Sequence, residues 1–353
     1  MTTDPAELRA MRRARELGES VLGTTSPNPA VGAVILAADG TPVGEGATAP
    51  PGGPHAEVAA LAQAGDRARG GTAIVTLEPC AHTGRTGPCA DALLAAGIAR
   101  VVVAVPEPTE PAGGGADRLR AAGVDVELGV EQAEAEAGAL SGWLTGVREH
   151  RPFVVWKVAA TLDGRVAAAD GTSRWITGDQ ARAAVHRLRA TCDAVLVGSG
   201  TALADDPQLT VRDAEGRNVA PKPLRVVVDR RDRVPTTARV LDDAAPTHVS
   251  RAADPAALLA ELFDRDVRRL LLEGGPTLAA AFLREGLVDE AVVHLAPTFL
   301  GAGPSLVGDL GISTITDALS LSIVDVTPLG GDVQIRLRPT RHTEGHQHAD
   351  GRG

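Results

Sequence analysis

The sequence predicts an α/β protein built as two consecutive domains. Three observations predict it. The chain has 353 residues, enough for two cores of ordinary size. Short apolar strand-like runs alternate with helix-patterned segments over 31–128 and again over 153–295, and such alternation implies sheets covered by helices. The composition, 44% hydrophobic and 23% charged, is that of a soluble globular chain.

Asp4-Pro5-Ala6-Glu7 has the form of a helix start: an Asp cap, Pro at the first helical position, and Glu three residues after the cap. Leu8, Met11 and Leu17 supply a partial apolar face. Ser26-Pro27-Asn28-Pro29 then breaks the chain. Val31 to Leu36 reads as a short apolar strand, and Pro42 to Glu45 as the start of its hairpin partner. A helix is predicted over 54–64, with Val58, Leu61 and Ala62 on one face and His55 and Glu57 in its first turn. A buried strand over 72–77 follows, then a helix over 88–96 with Cys89 in its first turn. Strand, helix and strand continue over 100–105, 116–122 and 124–128. The Glu- and Ala-rich stretch 129–148 reads as helical, and Arg148 to Pro152 as a join.

The second series predicts strands over 153–159, 194–198, 224–229, 269–272 and 291–295, and helices over 179–190, 255–263 and 275–285. No internal repeat is visible. The tail from Thr340 is polar and Gly/His-rich and is expected to be disordered, with His342, His346 and His348 solvated. The domain boundaries so expected are 1–148, 149–339 and a tail over 340–353.

Charge and composition exclude several classes. A formal charge of -10 argues against broad affinity for nucleic-acid phosphates. With 2% aromatics and no Tyr, base stacking is not a main activity either. No apolar run is long enough to span a bilayer, and the first residues lack the apolar region of a signal peptide. The cytoplasm is therefore the expected compartment. Three cysteines do not make a disulfide framework. In a reducing compartment, metal binding is a better use for two of them.

His55-Ala56-Glu57, then Pro79-Cys80 and Cys89, carry the chemistry. Zinc takes nitrogen and sulfur ligands in a tetrahedron, and a catalytic zinc keeps one position open. His55, Cys80 and Cys89 would fill three positions. Glu57 is placed to move protons, the division of labour in zinc deaminases of nucleobases. A helix start would favour the thiolate of Cys89. Any one of these residues alone reads better as an ordinary core or surface residue; their joint occurrence does not. Cys192, just before an apolar strand, reads as structural. Glu78, close to Cys80, competes with Glu57 for the catalytic role, and the His-Ala-Glu spacing favours Glu57.

With these residues in hand, the chain resembles the bifunctional riboflavin-biosynthesis deaminase–reductases of bacteria. The deaminase half is similar in SPNPAVGAVI (26–35), PHAEVAAL (54–61) and TLEPCAHTGRTGPC (76–89). The eight residues between Cys80 and Cys89, with His-x-Gly-Arg among them, set it apart from cytidine and tRNA-adenosine deaminases. The reductase half is similar in KVAATLDGRVAAADGTSRWITG (157–178), VHRLRATCDAVLVGSGTALADDPQLTVR (185–212) and LLLEGGPTLAAAFL (271–283). The resemblance covers about residues 5–338.

It implies a cytidine deaminase-like α/β/α domain followed by a dihydrofolate reductase-like α/β domain. It implies one zinc per chain, NADPH, a pyrimidine ribosyl phosphate substrate, and a homo-oligomer, dimer or tetramer. His55, Cys80 and Cys89 would be zinc ligands and Glu57 the proton shuttle. Asn28, His82 and Arg85 would contact the deaminase substrate. Ala159, Trp175, Thr201, Asp205, Gly275, Pro276 and Thr277 would contact NADPH. Ser173, Arg189, Leu209, Arg212 and Glu273 would contact the ribosyl substrate, the two arginines suiting its phosphate. One departure stands out: Glu107-Pro108-Thr109 occupies the place where the family usually has Asp-Pro-Asn.

Read from the residues alone, GSGT (198–201) and EGGP (273–276) are Gly-rich turns that could face a phosphate, though a tight turn without a ligand is commoner. Neither is a Rossmann fingerprint. Lys157 lies on an otherwise apolar strand, so it either meets a ligand or carboxylate or reaches solvent at a strand end. Glu273 or Lys157 could supply the proton that accompanies hydride, and the sequence does not choose between them. Asp205-Asp206 reads as a solvated turn. The competing functions are a reductase with a structural zinc domain, and a zinc-dependent nucleic-acid binder, which the acidic charge and scarce aromatics disfavour.

Overall fold

The structure, a computed structural model, describes residues 4–82, 87–109 and 112–340. The first series comprises α1 (Pro5–Ser20), β1 (Gly32–Leu36), β2 (Pro42–Ala47), α2 (Ala56–Ala64), β3 (Thr72–Leu77), α3 (Cys89–Ala95), β4 (Arg100–Val105), α4 (Gly115–Ala121), β5 (Asp125–Leu128), α5 (Gln132–Ala137) and α6 (Ser141–Glu149). The second comprises β6 (Phe153–Thr161), α7 (Asp179–Ala190), β7 (Ala194–Gly198), α8 (Ser199–Asp205), β8 (Leu224–Val228), β9 (Thr247–Ser250), α9 (Pro255–Phe263), β10 (Arg269–Leu272), α10 (Pro276–Arg284), β11 (Glu290–Ala296), β12 (Leu321–Leu329) and β13 (Asp332–Pro339). The predicted tail beyond Thr340 lies outside the described residues.

The first sheet has five strands in the order β2-β1-β3-β4-β5. β1 pairs antiparallel with β2 and β3, whereas β3–β4 and β4–β5 are parallel. Its inner strands β3 and β4 are largely apolar, as strands covered on both faces are: residues 101–105 of β4 are all buried, whereas β5 at the edge carries Asp125 and Glu127.

The chain divides into two compact units, Met1–Phe153 with Ala183–Leu271, and Val154–Arg182 with Leu272–Gly353. The first unit holds the five-stranded sheet and the strand run β10-β7-β8-β9, in which β7–β8 and β8–β9 are parallel. The second holds the run β12-β13-β11-β6, in which β6–β11 is parallel and β11–β13 and β12–β13 are antiparallel.

The capping box at Asp4 forms as the sequence predicts. Asp4 accepts from Ala6 N, and Glu7 accepts from Asp4 N at 3.1 Å. The same Glu7 receives Arg100 Nε at 2.7 Å, which ties α1 to the start of β4. Residues 129–148 form two helices rather than one, divided at Gly138. GSGT is not a free turn: Gly198 caps α8 and the next three residues begin the helix. The β12–β13 hairpin and β9 lie outside the predicted strands.

The buried face of α2 also differs from the prediction. It consists of Ala56, Glu57, Ala60 and Ala64, while Val58 and Leu61 are half-buried and Ala62 is exposed. The reason is close backbone approach. A Cβ on Gly44 of β2 would collide with the Ala60 carbonyl oxygen, and one on Gly46 would collide with the Ala56 carbonyl oxygen. The helix and strand meet where both sequences are small, so alanine, not the larger apolar residues, faces the sheet. α1 meets β1 in the same way, through Ala14 and Gly32.

Gly46→Ala should therefore overpack this contact and destabilise the fold by about 1–3 kcal/mol. Thermal unfolding checks this against Gly331→Ala, where an added Cβ meets open space and the change should stay within about 0.5 kcal/mol.

Candidate active site

The N-termini of α2 and α3 and the segment after β3 bring together the candidate metal-ligating residues. His55 is the N-cap of α2, one residue outside the predicted first turn, and Glu57 is in that turn. Cys80 follows β3, and Cys89 is the first residue of α3. Candidate ligand atoms of His55, Cys80 and Cys89 all lie within 4.8 Å of one another. His55 Nδ1 is 3.2 Å from Cys89 Sγ and 3.7 Å from Cys80 Sγ. A tetrahedral zinc with one nitrogen and two sulfur ligands sets ligand separations of about 3.5–3.8 Å. The donor set and its spacing fit that ion.

The two thiols are not equivalent. The backbone N–H of Cys89 donates to Cys80 Sγ at 3.4 Å. Hydrogen bonds from Cys89 and then His55 pull the Cys80 thiol down to about 4, while burial opposes them. Cys89, buried and next to that thiolate, is pushed up, with its hydrogen bond to Cys80 as the leading cause. The pair thus holds one proton between two sulfurs, and a cation would release it. His55 is raised in turn by its hydrogen bond to Cys80.

Glu57 is 4% exposed, and burial raises its carboxyl above the usual range. Glu78, the competing acid, is engaged elsewhere. Its two oxygens accept the backbone N–H groups of Glu107 (3.1 Å) and Ala116 (2.9 Å). It therefore fixes the loop after β4 rather than moving protons. In that loop, Glu107 accepts from both the N–H and the hydroxyl of Thr109, at 3.0 and 2.6 Å. The departure from Asp-Pro-Asn is a turn closed upon itself.

A cavity of about 510 Å³ opens beside the cluster. It is lined by His55, Cys80, Asn28 and His82, together with Ser26, Pro27, residues 51–53 and Asp266. Asn28 and His82 thus line the same cavity as His55 and Cys80. Arg85 lies outside the described residues. Asp266 is the lining residue that sequence reasoning missed. It sits between α9 and β10 with φ 63°, a backbone conformation in which Asp and Asn are enriched. Its only sequence signal is an Asp at a helix-to-strand turn.

The second series presents two groups. In the first unit, Arg189 Nη1 donates to the Thr210 carbonyl (3.0 Å), and Arg212 Nη2 donates to Gln208 Oε1 (2.9 Å). Burial lowers the Arg212 guanidinium, and repulsion from Arg239 and Arg189 adds to it. Three cations crowded together suit an anion. Arg239 is a second residue that the sequence did not single out. Leu209 is buried with φ 55° and holds the turn between these arginines. Thr201 and Asp205 lie on α8, half-buried. Arg233 Nη2 donates to Ser199 Oγ at 2.7 Å where α8 starts. Asp206 accepts from Arg239 N at 2.8 Å, so that acid is part of the loop's scaffold.

In the second unit, Lys157 and Ala159 lie two residues apart on β6, half-buried on one face. β6 continues to Thr161, so Lys157 is inside the strand and not at its end. Glu273 follows β10, and Gly275 caps α10, whose first residues are Pro276 and Thr277. Ser173 is half-buried in the β6–α7 connection. Trp175 is 69% exposed, with the Arg182 guanidinium 4.5 Å from its ring centroid. Gly178 N donates to Asp332 Oδ2 at 2.7 Å and ties that connection to β13.

Comparison with known proteins is consistent over both halves. Residues 5–105 match the cytidine and deoxycytidylate deaminase zinc-binding region, and residues 152–335 match the RibD C-terminal domain. The riboflavin biosynthesis protein RibD of Mycobacterium tuberculosis is 49% identical over 328 residues, which span 93% of this chain and 96% of that relative. RibD of Escherichia coli is 41% identical, covering 93% of this chain and 98% of its own. Among solved structures, Acinetobacter baumannii RibD superposes with a TM-score of 0.85 at 39% identity, over 95% of this chain and 99% of that one. A Thermotoga maritima protein described as a diaminohydroxyphosphoribosylaminopyrimidine deaminase/5-amino-6-(5-phosphoribosylamino)uracil reductase gives 0.86 at 35% identity, with the same coverage.

The thiol asymmetry predicts a titration. Metal-free protein at pH 7 should show ultraviolet thiolate absorbance. It should disappear on acidification through about pH 4, the Cys80 value. The sign follows from the lowered pKa: the thiolate persists above it and protonates below it. Cys80→Ser should abolish the signal, whereas Cys192→Ser should not, because burial pushes Cys192 up to about 11.

Proposed function

This chain belongs to the RibD family of riboflavin-biosynthesis deaminase–reductases, and we propose that it performs two consecutive steps on one pyrimidine ribosyl phosphate. First, the 2-amino group of 2,5-diamino-6-ribosylamino-4(3H)-pyrimidinone 5′-phosphate is hydrolysed and ammonia leaves. Second, NADPH reduces the ribosyl group, giving 5-amino-6-ribitylamino-uracil 5′-phosphate. The observation that carries the first step is the convergence of His55, Cys80 and Cys89 beside the cavity, with buried Glu57 two residues from His55.

One zinc per chain would be held by those three side chains and would supply Lewis-acid activation of water near neutral pH. Glu57 takes up a proton from the attacking water and returns one to the departing amine. Its burial suits the task, because a carboxylate whose pKa is raised above the usual range takes up a proton more readily near neutral pH. Asn28 and His82 line the cavity and orient the pyrimidine, and Arg85 is assigned to the phosphate by resemblance alone.

For the reductase, NADPH would supply the hydride that reduces the ribosyl group. Arg189 and Arg212 bind the substrate phosphate, and their crowding supports this role. Ser173, Leu209 and Glu273 complete the substrate contacts. Ala159, Trp175, Thr201, Asp205 and the Gly275-Pro276-Thr277 helix start hold the cofactor. Arg233 beside Ser199 adds a cation that suits the extra phosphate of NADPH over NADH. Lys157 or Glu273 delivers the accompanying proton. The reading includes a cytoplasmic homo-oligomer. Among the described residues, no helix is long and apolar enough to cross a membrane.

Incubation of purified, zinc-loaded protein with the diaminopyrimidinone ribosyl phosphate tests this. Ammonia is expected with or without NADPH, and NADPH oxidation only after deamination; no ammonia from zinc-loaded protein sinks the proposal. Glu57→Gln should keep its zinc, lose at least about 100-fold in ammonia release, and still reduce deaminated substrate. Arg212→Gln should raise the reductase KM for that substrate about tenfold or more, the scale of a lost charge-assisted contact, and leave ammonia release unchanged.

A further inference from the structure

His294 is a buried titratable group to which the two steps above give no role. It lies on β11, 1% exposed, directly opposite Ala159 of β6 and Gln334 of β13. Directly paired residues share a sheet face, as do residues two apart on one strand. Lys157, Ala159, His294, Gln334 and Asp332 therefore form one row across three strands. β11 is otherwise apolar along its buried length except for Glu290 at its start, so an imidazole there needs a reason.

The ring's two nitrogens are in different situations. Nε2 lies 3.1 Å from Gln334 Oε1. With that oxygen accepting, Nε2 carries the proton and Nδ1 presents a lone pair. Nδ1 is buried and has no hydrogen-bond partner among the described residues, and an unsatisfied buried acceptor is costly. The charged groups that act on the ring are Lys157 of β6, Asp332 of β13 and Glu273 after β10. Two of them are carboxylates, which accept; Lys157 alone is an obligate donor. Burial, reinforced by the Lys157 charge, lowers His294 to about 4, so the ring is neutral at pH 7 and its lone pair is available.

We propose that His294 is a positioning residue of the reductase centre: its Nδ1 lone pair accepts a hydrogen bond from the Lys157 ammonium and orients that group toward bound substrate. This rests on the assignment of Lys157 to the reductase centre. The Gln334 bond fixes the tautomer, and the fixed tautomer presents an acceptor to lysine, so β13 acts on the centre through β11. Lys157 then has one preferred direction when hydride moves, instead of the freedom of a four-carbon stem.

Two variants separate the ring nitrogens. His294→Asn places an amide near the Nδ1 position; His294→Gln keeps a polar group toward Gln334 but leaves no acceptor at Nδ1. The measurement is single-turnover NADPH oxidation with deaminated substrate, alongside KM for NADPH, ammonia release and thermal unfolding. His294→Gln is expected to slow reduction about tenfold or more, the scale of one lost oriented hydrogen bond, with KM for NADPH and ammonia release unchanged. His294→Asn should recover most of that rate. In a Lys157→Met background, His294→Gln should change the rate by less than about twofold, because coupled residues are non-additive. An unaffected His294→Gln overturns the inference, as does the same slowing in both backgrounds or a His294→Asn no faster than His294→Gln. Undiminished reduction by Lys157→Met overturns the role of Lys157 itself and this inference with it. A slow Lys157→Met beside an unaffected His294→Gln overturns this inference alone.

Discussion

The deaminase site depends on how closely α2 can approach β2. Gly44 and Gly46 leave no Cβ in the way, and Ala56 and Ala60 bring little more than backbone to the contact. That approach sets the height of the helix over the sheet. It therefore sets where His55 caps the helix and how deeply Glu57 is buried in the first turn. Larger apolar residues would fill the same space with more buried area, yet they would lift the helix and move the imidazole away from the sulfurs. Packing here serves geometry before stability.

A second helix start completes the arrangement. α3 begins at Cys89, so its first backbone N–H is free to reach Cys80 Sγ. One helix terminus therefore contributes both a ligand and a donor that stabilises the other ligand as thiolate. Glu78 secures the neighbouring loop by accepting two backbone N–H groups. The two acids near the cluster are held differently: Glu57 is buried beside Cys89, and burial raises its carboxyl, whereas Glu78 is occupied by two backbone N–H groups.

The reductase half handles charge differently. Arg189, Arg212 and Arg239 repel one another in the first unit, a strain that an anion relieves. In the second unit the polar row on β6, β11 and β13 is held neutral or paired. Gln334 accepts from His294 Nε2, and Asp332 accepts from the Gly178 amide.

The sequence by itself determined most strands and helices, because apolar runs and capping residues act locally. The Asp4 capping box, β3, α7, β7, α9 and β10 fall where their residues place them. It also singled out His55, Cys80 and Cys89, whose candidate ligand atoms the structure brings within 4.8 Å of one another, because metal ligands need particular side chains in a recognisable order. What only the tertiary structure decided was which surfaces meet. The alanine face of α2 is buried because of glycines on another element, and periodicity within the helix cannot register them. Asp266 and Arg239 join their clusters from distant loops, and His294 gains its meaning from partners on β6 and β13. Local pattern encodes the element, whereas a contact depends on two segments at once. Hence the chemistry of the metal cluster was legible in the chain, and the residues that shape and orient the sites were not.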